Sequence, residues 1–305
     1  MSGTGVVSAV VEAADAIRAG SNELRLRLRR FQHLRTLLSE HPRIFLPFAR
    51  WTHPAGPTKV LNSDTRIVIE GFTRSASTFA VIAFQLAQPK PVRVARHLHA
   101  SAHLIAGAKR GLPVIACVRP PEATVLSAVI RSSNLTIPHT LWAYARFYER
   151  ILSYRSSFVV ATFEEVTGDF GAVVDRVNSQ FGTNFERFHH TEANVARVFQ
   201  LIEQRSGKPS WVKMLSDYQS GLVGTDELYR VMREQDGHVS VNEKVIARPS
   251  EARELQKTAL RRDYAHPRLQ KLRRRAEDAY EATLGSKPAE PASSAGSTLA
   301  AQPAE

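Results

Sequence analysis

Residues 66–86 read RIVIEGFTRSASTFAVIAFQL, and this stretch decides the fold class. The apolar, β-branched run at 66–70 is typical of a buried strand, and the apolar pattern at 75–86 predicts a helix directly after it. Gly71 permits the turn between them. Because backbone N–H groups and the positive end of the helix dipole surround such a turn, the segment predicts an anion-binding loop.

The rest of the chain repeats this alternation of strand and helix. Three further β-branched apolar runs predict strands at residues 92–97, 113–118 and 158–162. The patterns between and after them predict helices at residues 100–110, 121–132 and 138–154. Because the run Val-Ile-Ala-Cys-Val at 114–118 is apolar on both faces, the expected fold is a three-layer α/β fold, with a central parallel sheet flanked by helices. Ligands of such sheets bind at the carboxyl ends of the strands.

The 305 residues divide into three parts. Residues 1–60 carry an imperfect apolar stripe and predict a helical lead-in that ends in a loop around Pro54 and Pro57. Residues 61–284 contain no internal repeat and no linker-like stretch, so we expect them to share one core as the catalytic domain. Residues 285–305 are rich in Ala, Ser, Pro and Gly, and we expect a disordered tail.

Charge and composition restrict the possible partners and the compartment. The formal net charge of +12 favours anionic partners: nucleic acid, acidic lipid, a polyanionic sugar or a phosphorylated cofactor. The single cysteine, Cys117, cannot form an intramolecular disulfide. No segment approaches the roughly 18 apolar residues of a membrane span, and residues 1–20 lack the pattern of a signal peptide. We therefore expect a cytoplasmic protein without a membrane span.

The loop at residues 71–78 differs from the Walker sequence of ATPases and GTPases. Ala76 stands at the second Walker glycine, and Ser77 stands at the Walker lysine. An ordinary ATPase or GTPase is therefore not expected. The hydroxyls of Ser75, Ser77 and Thr78 add donors for an anion, although capping of the helix is an alternative reason for a loop rich in serine and threonine.

Two segments resemble the nucleotide-binding motifs of P-loop sulfotransferases. Arg74-Ser75-Ala76-Ser77-Thr78 is similar to the family's 5′-phosphosulfate loop, in which a basic residue precedes Ser-Gly-Thr-Thr or Ser-Gly-Thr-Ser. Arg119 follows a predicted strand and Ser127 stands eight positions later, as in the family's 3′-phosphate motif. Ala76 and Pro120 depart from the family patterns, and the alternative for Arg119 is an ion pair with a carboxylate.

The resemblance covers residues 66–181 and has implications for fold and activity. It implies a P-loop NTPase-like fold and transfer of a sulfuryl group from 3′-phosphoadenosine 5′-phosphosulfate (PAPS) to a hydroxyl or amine, which leaves adenosine 3′,5′-bisphosphate. The implied nucleotide contacts come from Gly71, Thr73, Arg74, Ser75, Ala76, Ser77, Thr78, Arg119 and Ser127. The segment at 163–166 is a weaker similarity, and we interpret it as structural. A second weak similarity is a basic group that could close over the 3′-phosphate: Arg248, Arg253 and Lys257.

Sulfuryl transfer requires a base for the acceptor hydroxyl and positive charge near the leaving oxygen. The family supplies its base at the end of the second strand, and the resemblance implies His97, with His99 as its substitute or partner. Arg74 is the implied charge stabiliser. Arg96 lies one position away from the place of the family's lysine, so its side chain is expected to face away from the nucleotide.

Two alternatives remain for these histidines. His97, His99 and His103 form an H-x-H-x-x-x-H set that could hold zinc, but no fourth ligand is indicated and transfer from PAPS needs no metal. A structural pair of histidines bonded to loop backbone is the other alternative.

The acceptor is expected to be a small molecule or a carbohydrate. Its pocket would come from residues 51–62 and 206–245, and the polar second range predicts a long loop or flap with at most short helices. Trp211 and Tyr218 could stack on a ring or pack locally. The rival function is a non-catalytic, basic protein that binds nucleic acid or another polyanion on a P-loop-like fold. Recognition of a specific nucleic acid is not expected.

Overall fold

A computed structural model describes residues 32–53, 56–132, 134–204, 209–234 and 251–285. The predictions for residues 1–31, for Arg248 and for the tail beyond residue 285 lie outside these ranges. The side chain of Arg253 also lies outside the described part.

Among the described residues, four parallel strands form one sheet in the order β2-β1-β3-β4. The strands are β1 (Ile67–Gly71), β2 (Val94–Arg96), β3 (Val114–Val118) and β4 (Val159–Thr162). In the central strand, Val68 pairs with Ala95 of β2 and with Val114 of β3. The four predicted strands are confirmed. β2 is shorter than predicted, because the backbone turns into the left-handed region at His97, where φ is 55°.

The helices of the described residues are α1 (Gln32–Leu38), α2 (Pro42–Thr52), α3 (Gly56–Lys59), α4 (Ser77–Ala87), α5 (Ser101–Lys109), α6 (Pro121–Arg131), α7 (Ile137–Ile151), α8 (Phe163–Gly168), α9 (Phe170–Phe181), α10 (Glu192–Glu203), α11 (Pro209–Gln219), α12 (Thr225–Glu234), α13 (Glu251–Tyr264) and α14 (Gln270–Leu284). Short 3₁₀ segments span Leu152–Ser157 and Pro267–Leu269. The helices predicted after β1, β2 and β3 and before β4 are confirmed, with ends that differ by up to three residues.

The sheet buries both of its faces. Alternate residues of β1 point to opposite sides, so Ile67 and Ile69 join one core cluster and Val68 joins the other. Residues of α4, α9, α10 and α11 pack in the first cluster, and residues of α5, α6, α7 and α14 pack in the second. The expected α/β class, with a parallel sheet flanked by helices, is confirmed.

The predicted loop or flap at 206–245 is wrong for two stretches, because α11 has 11 residues and α12 has 10. Trp211, Leu215 and Tyr218 recur every three to four residues and are buried in the core with Leu228 of α12. The many polar residues between them obscured this helical spacing. Pro57, predicted to lie in a loop, belongs to α3.

The N-terminal helices pack beside the carboxyl end of the sheet. Phe45 and Ala49 of α2 form a small core cluster with Leu98, Ala100 and Ala102, which follow β2 directly. This contact places α1 and α2 next to the loop that carries the two candidate bases. Within the described ranges, no helix is both long and apolar enough to cross a lipid bilayer.

The connections after the strands open a crevice at the end of β1. The chain leaves β1 for α4 on one face of the sheet, and it leaves β2 and β3 for α5 and α6 on the other face. Where neighbouring connections diverge in this way, the carboxyl ends of the strands leave room for a ligand. The loops after β1, β2 and β3 therefore meet at one place.

Candidate functional site

The loop between β1 and α4 is closely packed at its base. A Cβ on Gly71 would lie within 2.4 Å of both the Cys117 carbonyl oxygen and Ser75 Oγ, so only a hydrogen atom fits there. Ser75 is fully buried and donates a 2.7 Å hydrogen bond to the Phe72 carbonyl. Its hydroxyl therefore stabilises the loop from within. Ser77 is also buried, whereas Thr73 is partly exposed.

Backbone strain is concentrated at this site. Among the described residues, four non-glycine residues have a positive φ: Arg74 (70°), Ala76 (65°), His97 (55°) and His99 (50°). Such conformations cost on the order of 1–3 kcal/mol each and persist where the surrounding structure imposes them. All four residues lie in the loops that follow β1 and β2. At Ala76 the backbone adopts a conformation that glycine reaches without steric cost.

Arg74, Arg119 and Ser127 are brought together by the parallel neighbours β1 and β3. Arg74 Nε donates a 2.8 Å hydrogen bond to Ser127 Oγ, and Arg119 Nη1 donates a 3.3 Å hydrogen bond to the Arg74 carbonyl. The two sequence motifs, which are separate along the chain, therefore form one cluster of two guanidinium groups and a hydroxyl. Such a cluster can bind an anion through charge-assisted hydrogen bonds.

Arg119 is held by an aromatic ring. Its guanidinium carbon lies 4.0 Å from the centroid of Phe163, the first residue of α8. Burial lowers the pKa of Arg119, while the carboxylates of Glu164 and Glu254 raise it in part. Arg119 forms no ion pair with any carboxylate of the described residues, so the alternative of a strand-ending arginine paired with an acid is not supported. The structural interpretation of residues 163–166 agrees with this packing and with the capping box of Thr162 and Glu165.

Glu70 is a buried carboxylate that sequence reasoning missed. It ends the apolar run of β1, is fully buried, and accepts hydrogen bonds from the N–H groups of Gly71 (3.1 Å) and Leu98 (2.7 Å) and from His103 Nδ1 (3.1 Å). Burial raises its pKa, but the His103 bond, the nearby His99 ring and the Gly71 N–H outweigh burial, so the pKa lies below its usual range. An acidic residue at the end of an apolar strand was the available signal.

His103 is a structural residue of this network. Its Nε2 accepts a 3.2 Å hydrogen bond from the Leu61 N–H, which assigns the proton of the neutral ring to Nδ1, the atom that bonds Glu70. The side chain is fully buried. Within the described ranges, no group of three or more His, Cys, Asp and Glu side chains is arranged to hold a metal ion.

His97 is buried between two neighbours. A guanidinium can only donate, so the 2.9 Å contact from Arg96 Nη1 makes His97 Nδ1 an acceptor and assigns the proton of the neutral ring to Nε2. Nε2 lies 3.0 Å from Thr78 Oγ1 at the start of α4. The ring therefore links the end of β2 to the first turn of α4.

His99 has the opposite tautomer to His97 and is more exposed to solvent. Its Nδ1 lies 2.9 Å from the Gly71 carbonyl, which can only accept, so the lone pair of the neutral ring is at Nε2. Nδ1 also lies 3.6 Å from Glu70 Oε1. The side chain is 32% exposed, whereas the whole His97 residue is 8% exposed.

Arg96 lies behind His97 and bonds to residues of the α11 region as well. It is 1% exposed, and its Nη2 donates to Ser216 and Ser220 of the α11 region, with 2.9 Å to Ser220 Oγ. Arg96 therefore ties β2 to α11 and orients His97. Lys257 of α13 pairs with Glu254, whose charge reaches Arg119, so α13 lies beside the Arg119 end of the site.

A cleft of about 690 Å³ opens beside His99 and Thr73. Its lining residues come from α1, from the α1–α2 turn and from α6 and α7, and it takes only His53 from the range 51–62. No residue of the described part of 206–245 lines it. Of the two alternatives for Trp211 (5% exposed) and Tyr218 (1% exposed), the structure shows local packing, because both side chains lie in the core.

Comparison with known proteins gives no match to any family model, any curated protein or any solved structure. The crevice combines a strained loop at a helix N-terminus, an arginine bonded to a serine, a second arginine bonded to the loop backbone, and an imidazole that lines a cleft. This arrangement can bind a phosphorylated ligand on one side and accept a proton from a second molecule on the other.

Proposed function

We propose that this protein is a PAPS-dependent sulfotransferase on a P-loop NTPase-like fold. One observation carries the proposal: the Arg74–Ser127–Arg119 cluster, which joins two segments that each resemble a nucleotide-binding motif of that family. The cluster lies at the carboxyl end of the central strand, which is the usual ligand position in parallel α/β sheets.

The nucleotide would bind across the ends of β1 and β3. The amides of residues 72–78, with Arg74 and Thr73, would surround the 5′-phosphosulfate, and the start of α4 favours negative charge there. Arg119 and Ser127 would bind the 3′-phosphate. Ser127 accepts its bond from Arg74 Nε, so its own O–H can donate to a phosphate oxygen. The Phe163 ring holds the Arg119 guanidinium for this bond.

We assign the catalytic base to His99 and a positioning role to His97. His99 accepts the proton of the acceptor hydroxyl at Nε2 while the hydroxyl oxygen forms its bond to sulfur. The bond from sulfur to the bridging oxygen breaks, and its electrons leave with adenosine 3′,5′-bisphosphate. Glu70, 3.6 Å from Nδ1, stabilises the imidazolium that results. Arg74 would offset charge on the leaving oxygen.

The rival function, non-catalytic binding of a polyanion, gains little support from the described basic residues. Several of them pair with carboxylates of the same chain: Arg146 with Glu40, Arg176 with Glu165, Arg187 with Asp169 and Asp175, Arg261 with Glu122, and Arg275 with Glu149. A surface that binds a polyanion needs cations that are available to phosphates or sulfates.

The experiment is a calorimetric titration of adenosine 3′,5′-bisphosphate into three proteins: wild type, Arg119→Ala and Arg110→Ala. Arg110 is the matched control, because it is exposed and lies before β3 at the opposite edge of the sheet. We expect wild type and Arg110→Ala to bind alike, and Arg119→Ala to bind at least about tenfold more weakly. Absence of binding by wild type, together with steeply salt-dependent binding of a DNA oligonucleotide, would instead establish the rival.

A further inference from the structure

The cleft beside His99 carries more positive than negative charge. Two arginines line it, Arg35 from α1 and Arg131 from the end of α6, and Glu40 is the one carboxylate among the described residues that line it. Glu40 is engaged by Arg146, which donates to Glu40 Oε1 and, at 2.8 Å, to Oε2. The lining therefore favours a ligand that brings its own negative charge.

The low pKa of His53 also reflects the positive charge around the cleft. Burial is the main cause of its low pKa, about 4, and the cations Lys59, Arg96 and Arg35 lower the pKa further. His53 is therefore neutral at pH 7 and adds no positive charge of its own. An anion in the cleft would be attracted by the neighbouring guanidinium groups.

Arg35 is bonded to the loop that carries the candidate base. Its Nη2 donates a 3.0 Å hydrogen bond to the carbonyl of Leu98, the residue directly before His99. One guanidinium nitrogen is thereby fixed to the loop that carries the candidate base, and the planar group has further N–H donors for an oxyanion. An anionic group bound at Arg35 would hold the rest of its molecule close to His99.

Part of the lining of the cleft is apolar. Phe72, Phe147 and Leu135 line it, together with Ala128 and Ala143. A volume of about 690 Å³ is within the range of roughly 300–1,000 Å³ that is usual for small-molecule sites. The cleft thus combines a cationic anchor, an apolar wall and a candidate base within the space of one small ligand.

We infer that the acceptor is a small hydroxylated organic acid, whose carboxylate binds Arg35 and whose hydroxyl reaches His99; this inference rests on the proposed sulfotransferase function. The apolar wall packs against the carbon skeleton of the acid. Burial lowers the pKa of Arg35 and the carboxylate of Glu70 raises it in part, so Arg35 has one negative neighbour; a carboxylate ligand would add a second, which a neutral sugar cannot.

The test compares acids with their neutral esters. The three isomeric hydroxybenzoates and their methyl esters are titrated by calorimetry at pH 7 into protein saturated with adenosine 3′,5′-bisphosphate, and again into protein without nucleotide. The variants are Arg35→Gln, whose side chain is polar but uncharged, and Arg43→Gln. Arg43 is the matched control, because it is an exposed arginine of α2 that does not line the cleft. Thermal unfolding confirms that each variant is folded.

We expect at least one acid to bind wild type about tenfold or more tightly than its ester, and this preference to fall within about twofold in Arg35→Gln. Arg43→Gln keeps the wild-type preference. The inference is overturned if no acid binds, if the esters bind as tightly as the acids, or if Arg35→Gln retains the preference.

The two proposals fail separately in this experiment. Nucleotide binding without any acid preference overturns the acceptor class and leaves the sulfotransferase proposal standing. An Arg35-dependent acid preference without nucleotide binding supports the ligand class of the cleft and refutes the sulfotransferase proposal.

Discussion

The left-handed backbone at Ala76 predicts that Ala76→Gly stabilises the protein. Ala76 has φ 65° and ψ 9°, a conformation that costs an L-residue about 1–2 kcal/mol and costs glycine nothing. Glycine gains about 0.4–1 kcal/mol of conformational freedom in the unfolded chain, which offsets part of that relief. The net expectation is a free energy of unfolding higher by about 0.5–1 kcal/mol and a Tm higher by about 2 °C.

Urea and thermal unfolding followed by circular dichroism measure this change. Ala80→Gly is the matched control, because Ala80 is fully buried inside α4, only four positions away. There the substitution costs about 1 kcal/mol of helix propensity and about 0.8 kcal/mol for a buried methyl group. The two substitutions should therefore have opposite signs. A loss of stability in Ala76→Gly would refute the left-handed backbone at the loop.

Two further predictions concern buried titratable groups. Glu70→Leu removes the acceptor of three buried N–H groups, so urea unfolding should show a free energy of unfolding that is lower by at least about 3 kcal/mol. A decrease of less than about 1 kcal/mol would contradict the proposed hydrogen-bond network. Burial first, and then His33, lower the pKa of His139 to about 4, whereas a histidine in the unfolded chain titrates near 6.5. Between these values the unfolded chain binds more protons, so stability falls as pH falls from about 6.5 to about 4. His139→Gln should flatten that slope, and an unchanged slope in urea unfolding across this window would contradict the depressed pKa.

Much of the fold could be predicted because its signals are local. The strands are short, apolar and β-branched, and each core face of β1 follows from simple alternation, as Val68 and Ile69 illustrate. The helices α11 and α12 were missed because their apolar residues are sparse. Trp211 and Tyr218 pack against core residues that are distant in the sequence, and no local pattern predicts such contacts.

Some residues of the candidate site could also be predicted from the sequence, and others could not. Arg74, Arg119 and Ser127 were predictable, because parallel neighbouring strands bring their carboxyl ends together. The relation of His97 to His99 was not, since no residue in the sequence marks the backbone turn after Arg96. β2 ends at Arg96, and both histidines have a positive φ, so their rings point to different neighbours.

The cleft could not be predicted from the sequence. Its walls come from α1, α6 and α7, which are distant along the chain. Arg35 lies in the predicted helical lead-in, where no motif indicated a ligand site. Only the packing of α2 against the residues after β2 brings that arginine to the site.

The most direct test of the central claim is the coupling between Arg119 and the 3′-phosphate of the ligand. Adenosine 3′,5′-bisphosphate and adenosine 5′-phosphate are titrated by calorimetry into wild type and Arg119→Ala. We predict that wild type prefers the bisphosphate by about tenfold or more and that Arg119→Ala shows almost no preference. An equal preference in both proteins would mean that Arg119 does not bind the 3′-phosphate, and the proposed nucleotide site would be wrong.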